Sequence, residues 1–369
     1  MTSTSLTLAT GLVALAAALP AQAQTDIQWW HSMTAVNGEW VNDLAREFNA
    51  SQQRYRIVPT FKGSYDESMT AAVAAFRAGN APHILQVFEV GTATMMAARG
   101  VAVPVGQVMK DAGLKFDPTA YISAVAGYYT APNGQMLSFP FNSSTTIFYY
   151  NKDAFKAAGL DPDKAPTTWP EVAGAAAKLK ASGHKCPFTT AWQGWTQLES
   201  FSAWHNVEFA TKRNGLAGLD ARLAVDSPLH LRHIENLANM SKQGLFVYKG
   251  RGNVPEASFV SGECAMMTTS SGFYGNVKKN AKFAFGLAPP DDQRGLHQAP
   301  PGYPDGFPAA LVAELAATGT APDMSMRGAW NASSRLRTSS HIRWTFQAWK
   351  PVETAATGMP AMKNAACQS

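Results

Sequence analysis

Two alternating periods organise the first hundred residues. Ile27-Gln28-Trp29-Trp30 is a short apolar run that reads as a strand. Asn37 to Asn49 then carries Trp40, Val41, Leu44 and Phe48 at helical spacing. Tyr55 to Thr60 is a second strand, Glu67 to Arg77 a second helix with Met69, Val73 and Phe76 on its apolar side, and Gly79 its stop. Ile84 to Phe88 is a third strand and Val90 to Ala98 a third helix, closed by Gly100. This β-α-β-α-β-α order predicts a parallel or mixed sheet flanked by helices. Ligands of such sheets sit beyond the carboxyl ends of the strands. Those ends carry His31-Ser32, Lys62-Gly63-Ser64-Tyr65 and Glu89.

The pattern loosens between Val103 and Asn133 and then tightens at Phe139 to Asp153. Small polar residues and Pro140 lead into Ile147-Phe148-Tyr149-Tyr150, a buried strand by composition, which ends in the turn Asn151-Lys152-Asp153. By itself the stretch is as well explained as an ordinary strand with a Ser/Thr turn as by a crossing between two lobes. A second α/β region follows. Thr168-Trp169-Pro170-Glu171 has the cap, proline and N3 glutamate of a helix start, and that helix is expected to run to about Lys180. Cys186 to Thr190 reads as a strand. Pro228 to Gln243 reads as a helix buried through Leu231, Ile234, Leu237 and Ala238. Within Phe259 to Ser271, Gly262-Glu263 is a turn and Cys264 to Thr269 a buried strand with a hydroxyl-rich end.

Composition narrows the class. Of 369 residues, 46% are hydrophobic and 15% charged, which suits a folded chain long enough for two domains. A formal charge of +5, scattered and without a basic run interleaved with aromatics, gives no case for nucleic acid. Leu6 to Leu19 is an apolar stretch of signal-peptide length followed by Ala21-Gln22-Ala23, so residues 1–23 read as a signal and the mature chain as a periplasmic protein starting near Gln24. The region before Leu6 lacks the usual Lys or Arg. Three cysteines, Cys186, Cys264 and Cys367, are too few for a disulfide scaffold. Cys186 and Cys264 could pair in an oxidising compartment or remain two buried thiols.

Enzyme signatures are missing. There is no G-x-S-x-G, H-E-x-x-H, P-loop or G-x-G-x-x-G. His230 and His233 stand three apart on one helix but lack a companion at metal-ligand spacing, and read as a solvated helix face. No metal or cofactor is expected. What remains is a set of aromatics and hydroxyls at strand ends: Tyr65, Glu89, Ser143, Ser144, Trp192, Trp195 and Ser270. Each tryptophan alone reads first as core. Together, indoles, hydroxyls and one carboxylate suit a small polyol, whose C–H faces stack on rings while its hydroxyls bond to Glu89.

These residues also carry a resemblance. Trp30-His31-Ser32-Met33, Ala74-Ala75-Phe76-Arg77, Glu89-Val90-Gly91-Thr92-Ala93-Thr94-Met95-Met96, Pro140-Phe141-Asn142-Ser143-Ser144, Trp192-Gln193-Gly194-Trp195 and Gly262-Glu263-Cys264-Ala265-Met266 are similar, nearly collinearly from about 27 to 290, to a known group. The group is the periplasmic sn-glycerol-3-phosphate-binding proteins of bacterial ABC importers, within the maltose-binding-like solute-binding proteins. The resemblance implies an α/β, two-lobe periplasmic-binding-protein fold with mixed sheets and a hinge. It implies an N-terminal lobe at 24–139, joined by part of 281–290, and a C-terminal lobe at 140–280. It implies a monomer that takes no nucleic acid and hands its ligand to the membrane permease subunits. Tyr65, Glu89, Ser144 and Ser270 would contact the ligand, and Trp192 and Trp195 would line the cleft. Hydroxyls can hold a phosphate without a large positive patch. A sugar-binding protein of the same fold is the alternative; a secreted hydrolase would need a partner for Glu89, and none stands out.

From Asp291 to Ser369 the chain lacks periodicity, and the family segments that supply a backbone contact, a tyrosine and an arginine to the ligand are not found there. That stretch reads as an aberrant tail of the kind a frameshift leaves, the alternatives being a real divergent tail or a chimeric gene, with reduced stability and weakened or absent affinity as the expected cost.

Overall fold

The computed structural model describes residues 24–88, 91–98, 100–121 and 123–288. Contacts divide these into two compact units, 24–33 with 38–86, and 34–37 with 87–288. The stretch Phe139 to Asp153 lies wholly in the second unit. The tail from Asp291 and Cys367 lie outside the described residues.

In the first unit, strand β1 (Thr25–His31) is flanked by β2 (Tyr55–Phe61) and by the short β3 (Ile84–Leu85), all parallel, in the order β2-β1-β3. Helix α1 (Ala35–Ser51), which belongs to this unit from Gly38 onward, buries Val41 and Ala45. Helix α2 (Tyr65–Arg77) starts two residues before the sequence signal at Glu67, because Ser64 caps it. Ser64 Oγ accepts from the Glu67 N–H at 3.3 Å, and Glu67 accepts from the Ser64 N–H at 2.6 Å. Its buried face is Ser68 and Ala72. Val73, placed on the apolar side by periodicity, is exposed.

The second unit is built on a four-stranded mixed sheet: β4 (Thr146–Asn151), β5 (Cys186–Thr190), β6 (Cys264–Ser270) and β7 (Phe285–Ala288), in the order β5-β6-β4-β7. Only the β5–β6 pair is parallel. Every residue of β4 is buried because both faces of the sheet are covered. Phe148 and Tyr150 join Phe188 and Met266 on one face, against helices α3 (Trp169–Ala181) and α4 (Pro228–Lys242). Ile147 and Tyr149 join Met267 on the other, against Phe259 of α5 (Glu256–Val260) and Val277 of α6 (Tyr274–Asn280). Phe285–Ala288 belongs to this sheet, paired with β4. Gly286 fits beneath Tyr150 because it lacks a side chain: a Cβ there would stand 2.2 Å from the phenol ring.

The helix read from Thr168 forms as expected. Thr168 accepts from the Glu171 N–H at 3.3 Å, and Glu171 accepts from the Thr168 N–H at 3.2 Å. Replacing Thr168 with Ala should cost about 1 kcal/mol of stability. Urea unfolding should show this as a lower midpoint with an unchanged slope; an unchanged midpoint would mean the cap contributes nothing.

Helix α4 corrects two sequence expectations. Leu231 and Ile234 are exposed, and the buried face is His230, His233, Leu237 and Met240. His230 and His233 are therefore core residues, not a solvated face. His230 lies within 2.7 Å of Ser202 Oγ and of Ser227 Oγ. His233 bonds Gln197 Oε1 at 3.0 Å and stacks on Phe201 with ring centroids 3.9 Å apart. The polar partners that make burial tolerable lie on other segments, where periodicity cannot see them. Cys186 and Cys264 face each other across β5 and β6 and form a disulfide, with Cα atoms 4.5 Å apart.

Candidate ligand-binding site

The register of the second sheet gathers polar residues at one edge. Thr146 pairs with Ser270 in antiparallel register, so Ser144 and Thr145 leave β4 where Ser270 and Ser271 leave β6. The two turns are laced together. The Ser271 N–H donates to the Thr145 carbonyl at 2.8 Å, and the Thr145 N–H donates to Ser271 Oγ at 3.2 Å. Ser270 Oγ accepts from the Gly272 N–H at 3.0 Å. A side chain on Gly272 would put a Cβ 3.2 Å from Ser270 Oγ and 3.4 Å from Ser144 Oγ. The two serine hydroxyls thus converge on the same glycine, with Asn37 Nδ2 also 3.6 Å from that Cβ position.

Because β5 runs parallel to β6, its carboxyl end opens at the same edge, and Trp192 follows it. Trp192 sits at φ 51, a backbone region that bulky residues seldom enter. Several bonds hold it there. Its N–H donates to the Gly252 carbonyl at 2.9 Å, and Gln193 Nε2 bridges the carbonyls of Thr190 and Gly250 at 3.0 and 2.7 Å. Trp195 opens a π-helical turn, Trp195–Glu199. Beneath it Gln197 Nε2 donates to Thr190 Oγ1 and Thr268 Oγ1 at 2.9 and 2.8 Å. This polar network is buried and saturated, which fixes the loop above it.

One residue the sequence reading missed joins the two halves. Glu256 Oε1 accepts from Trp192 Nε1 at 3.3 Å and from Thr269 Oγ1 at 2.9 Å. Burial pushes its carboxyl up to about 7, against the opposing pull of these two donors. No motif surrounds it; the only local signal is a carboxylate opening a helix directly after Pro255. Burial likewise pushes the nearby Tyr149 hydroxyl well above the usual phenol range, and that hydroxyl donates to the Ser270 carbonyl at 3.0 Å.

The second unit thus holds Ser144 and Ser270 together at one sheet edge, while Trp192 and Trp195 lie on the segment that follows β5. Tyr65 opens α2 in the first unit. Glu89 lies outside the described residues. Among the described residues no group of three or more His, Cys, Asp or Glu is placed to hold a metal ion, and no helix is long and apolar enough to cross a membrane.

Comparison with known proteins places this arrangement. The sequence matches the bacterial extracellular solute-binding proteins over residues 31–319. The chain belongs to that solute-binding protein family. The match runs past the point near Pro290 at which the resemblance is read to end. A relative from Brucella abortus, the sn-glycerol-3-phosphate-binding periplasmic protein UgpB, is 49% identical over 295 residues, which are 79% of this chain and 68% of the relative. Among solved structures, UgpB from Mycobacterium tuberculosis in complex with glycerophosphocholine superposes with a TM-score of 0.63 at 21% identity, covering 75% of this chain and 67% of that one. Maltose-bound MalE3 of T. maritima gives 0.58 at 16% identity, covering 80% and 78%. The fold is accordingly the two-lobe, maltose-binding-like α/β fold of solute-binding proteins, and the protein is extracytoplasmic, as are its periplasmic relatives. The disulfide suits an oxidising compartment.

Proposed function

We propose that this solute-binding protein captures sn-glycerol 3-phosphate, or a glycerophosphodiester, and delivers it to the permease subunits of an ABC importer. The observation that carries the reading is the convergence of the Ser144 and Ser270 hydroxyls on Gly272, at the sheet edge where β5 also ends and the Trp192 segment begins. Hydroxyls donate to phosphate oxygens, and the indole offers an apolar face to the glycerol carbons. Relatives named for this ligand, near half-identical over most of the chain, support it. Tyr65 and Glu89 complete the proposed contact set, with Glu89 accepting from the glycerol hydroxyls and Trp195 closing the cleft wall. The lobes are proposed at 24–139 and 140–280. We take the protein to act as a monomer, to need no cofactor and to release its ligand unchanged.

Isothermal titration with sn-glycerol 3-phosphate, glycerophosphocholine and maltose tests this directly. The phosphate esters should bind and maltose should not, and the esters should be recovered intact. Ser144→Ala should weaken binding about tenfold, the usual value of one hydrogen bond to a charged group. Preference for maltose would sink the ligand assignment and leave a sugar-binding protein of the same fold.

A further inference from the structure

We propose that Glu256 is a positioning residue that clamps the Trp192 ring at the ligand edge of the second sheet, and that the clamp tightens when its carboxyl loses its proton. The inference deepens the proposed ligand reading and rests on it for its consequence in binding. The geometry is a fork. One carboxylate oxygen receives both the Trp192 indole N–H and the Thr269 hydroxyl, and Thr269 precedes the proposed contact Ser270. Trp192 needs such a restraint because its backbone lies at φ 51, outside the region bulky residues prefer. Gly252 at φ 55 lets its backbone lie against the indole; a Cβ there would be 3.7 Å from the ring.

Glu256 also lines a cavity of about 750 Å³, together with Asn253, Ser261, Asn276, Asn280 and Lys282 among others. The cavity gives a route for a proton to reach the buried fork. Among the described residues, Tyr149 on β4 interacts electrostatically with Glu256 and with Tyr274 on α6, and Lys282 stands on the cavity wall. Burial raises both phenols, so they stay protonated. Glu256, pushed up to about 7, is the group here that titrates near neutrality. Ionised, it makes two charge-assisted bonds; neutral, it makes two weaker ones. A periplasmic pH change would thus be read as a change in how firmly the ring is held.

The experiment uses the full chain without ligand. The emission of Trp192 is taken as the wild-type spectrum minus that of Trp192→Phe, from pH 5.5 to 8.5, and again in a Glu256→Gln background. The wild-type difference signal should titrate with a midpoint near pH 7, and the Gln background should show no transition. A flat wild-type signal, or the same transition in Glu256→Gln, overturns the clamp. A second arm measures sn-glycerol 3-phosphate binding at pH 6. Glu256→Ala should lose about fivefold in affinity and Glu256→Gln, which keeps the acceptor, should stay within about twofold of wild type. Undiminished affinity in Glu256→Ala also counts against the proposal. If the emission titrates as expected but the wild type binds no phosphate ester, the clamp stands and the ligand reading falls. If the ester binds and the emission is flat, the reverse holds.

Discussion

Reduction of the Cys186–Cys264 bridge should lower the stability of the second unit by about 4 kcal/mol, enough to consume much of the stability of an ordinary domain. The bridge closes a segment of 78 residues. In the chain-entropy account, a closure of that length removes about 4.5 kcal/mol of freedom from the unfolded chain. The cost in the native state is small because β5 and β6 already place the two residues opposite each other in register. Both are fully buried, so neither thiol would be satisfied by water after reduction. Urea unfolding of the oxidised chain, the reduced chain and the double variant Cys186→Ala, Cys264→Ala should show the oxidised form alone with a high midpoint. Coincident curves would mean the bridge is absent or that residual structure holds the unfolded segment together.

The second large effect is acid sensitivity through His233. Burial, with help from His205 and His230, lowers its ring to about 4 from the ordinary 6.5. The sign follows from where the proton goes. Between pH 6.5 and about 4 the unfolded chain takes up a proton that the folded chain refuses, so stability is intact above about pH 7 and is lost as pH falls through that window. Full protonation of the unfolded side chain is worth about 3 kcal/mol. Glu256 acts in the opposite sense, since its raised carboxyl binds a proton in the folded state that the unfolded chain has released. Its shift, from the ordinary 4.5 to about 7, is of similar size, so the two contributions largely offset each other in the wild type. The wild-type profile sums the two slopes, so the difference between wild type and His233→Gln isolates the histidine. That difference should grow by about 3 kcal/mol in favour of the variant from pH 7.5 to 4.5, measured by urea unfolding. A constant difference would show that His233 charges in the folded state without penalty.

The parts of the fold legible in the sequence are those whose cause is local. The caps Thr168–Glu171 and the strands Cys186–Thr190 and Thr146–Asn151 are written in adjacent residues, and the structure has them. Helix existence was legible too, but not which side faces inward. On α4 the apolar stripe Leu231 and Ile234 is exposed while two histidines are buried, because Gln197, Ser202, Ser227 and Phe201 supply what the rings require. At the site, Ser144, Ser270 and Trp192 were singled out at strand ends and through resemblance, and the sheet register brings their segments to one edge. Glu256 was not found, since its two partners stand 64 and 13 residues away and only the folded sheet brings them to it.

The strand order β5-β6-β4-β7 has a consequence for how this chain is made. Strand β4 is the first of its sheet to leave the ribosome, yet its two neighbours are β6 and β7, which come more than a hundred residues later. Until Cys264–Ala288 has been synthesised and exported, the run Ile147-Phe148-Tyr149-Tyr150 has no strand edge to pair with. Pairing so distant in sequence makes for slow folding, because a long loop must close before any contact rewards it. During that interval the exposed strand is a template for association with other chains. Refolding should therefore be slow and concentration-sensitive, and secretion of this chain should lean on holding factors that shield β4 until its partners arrive.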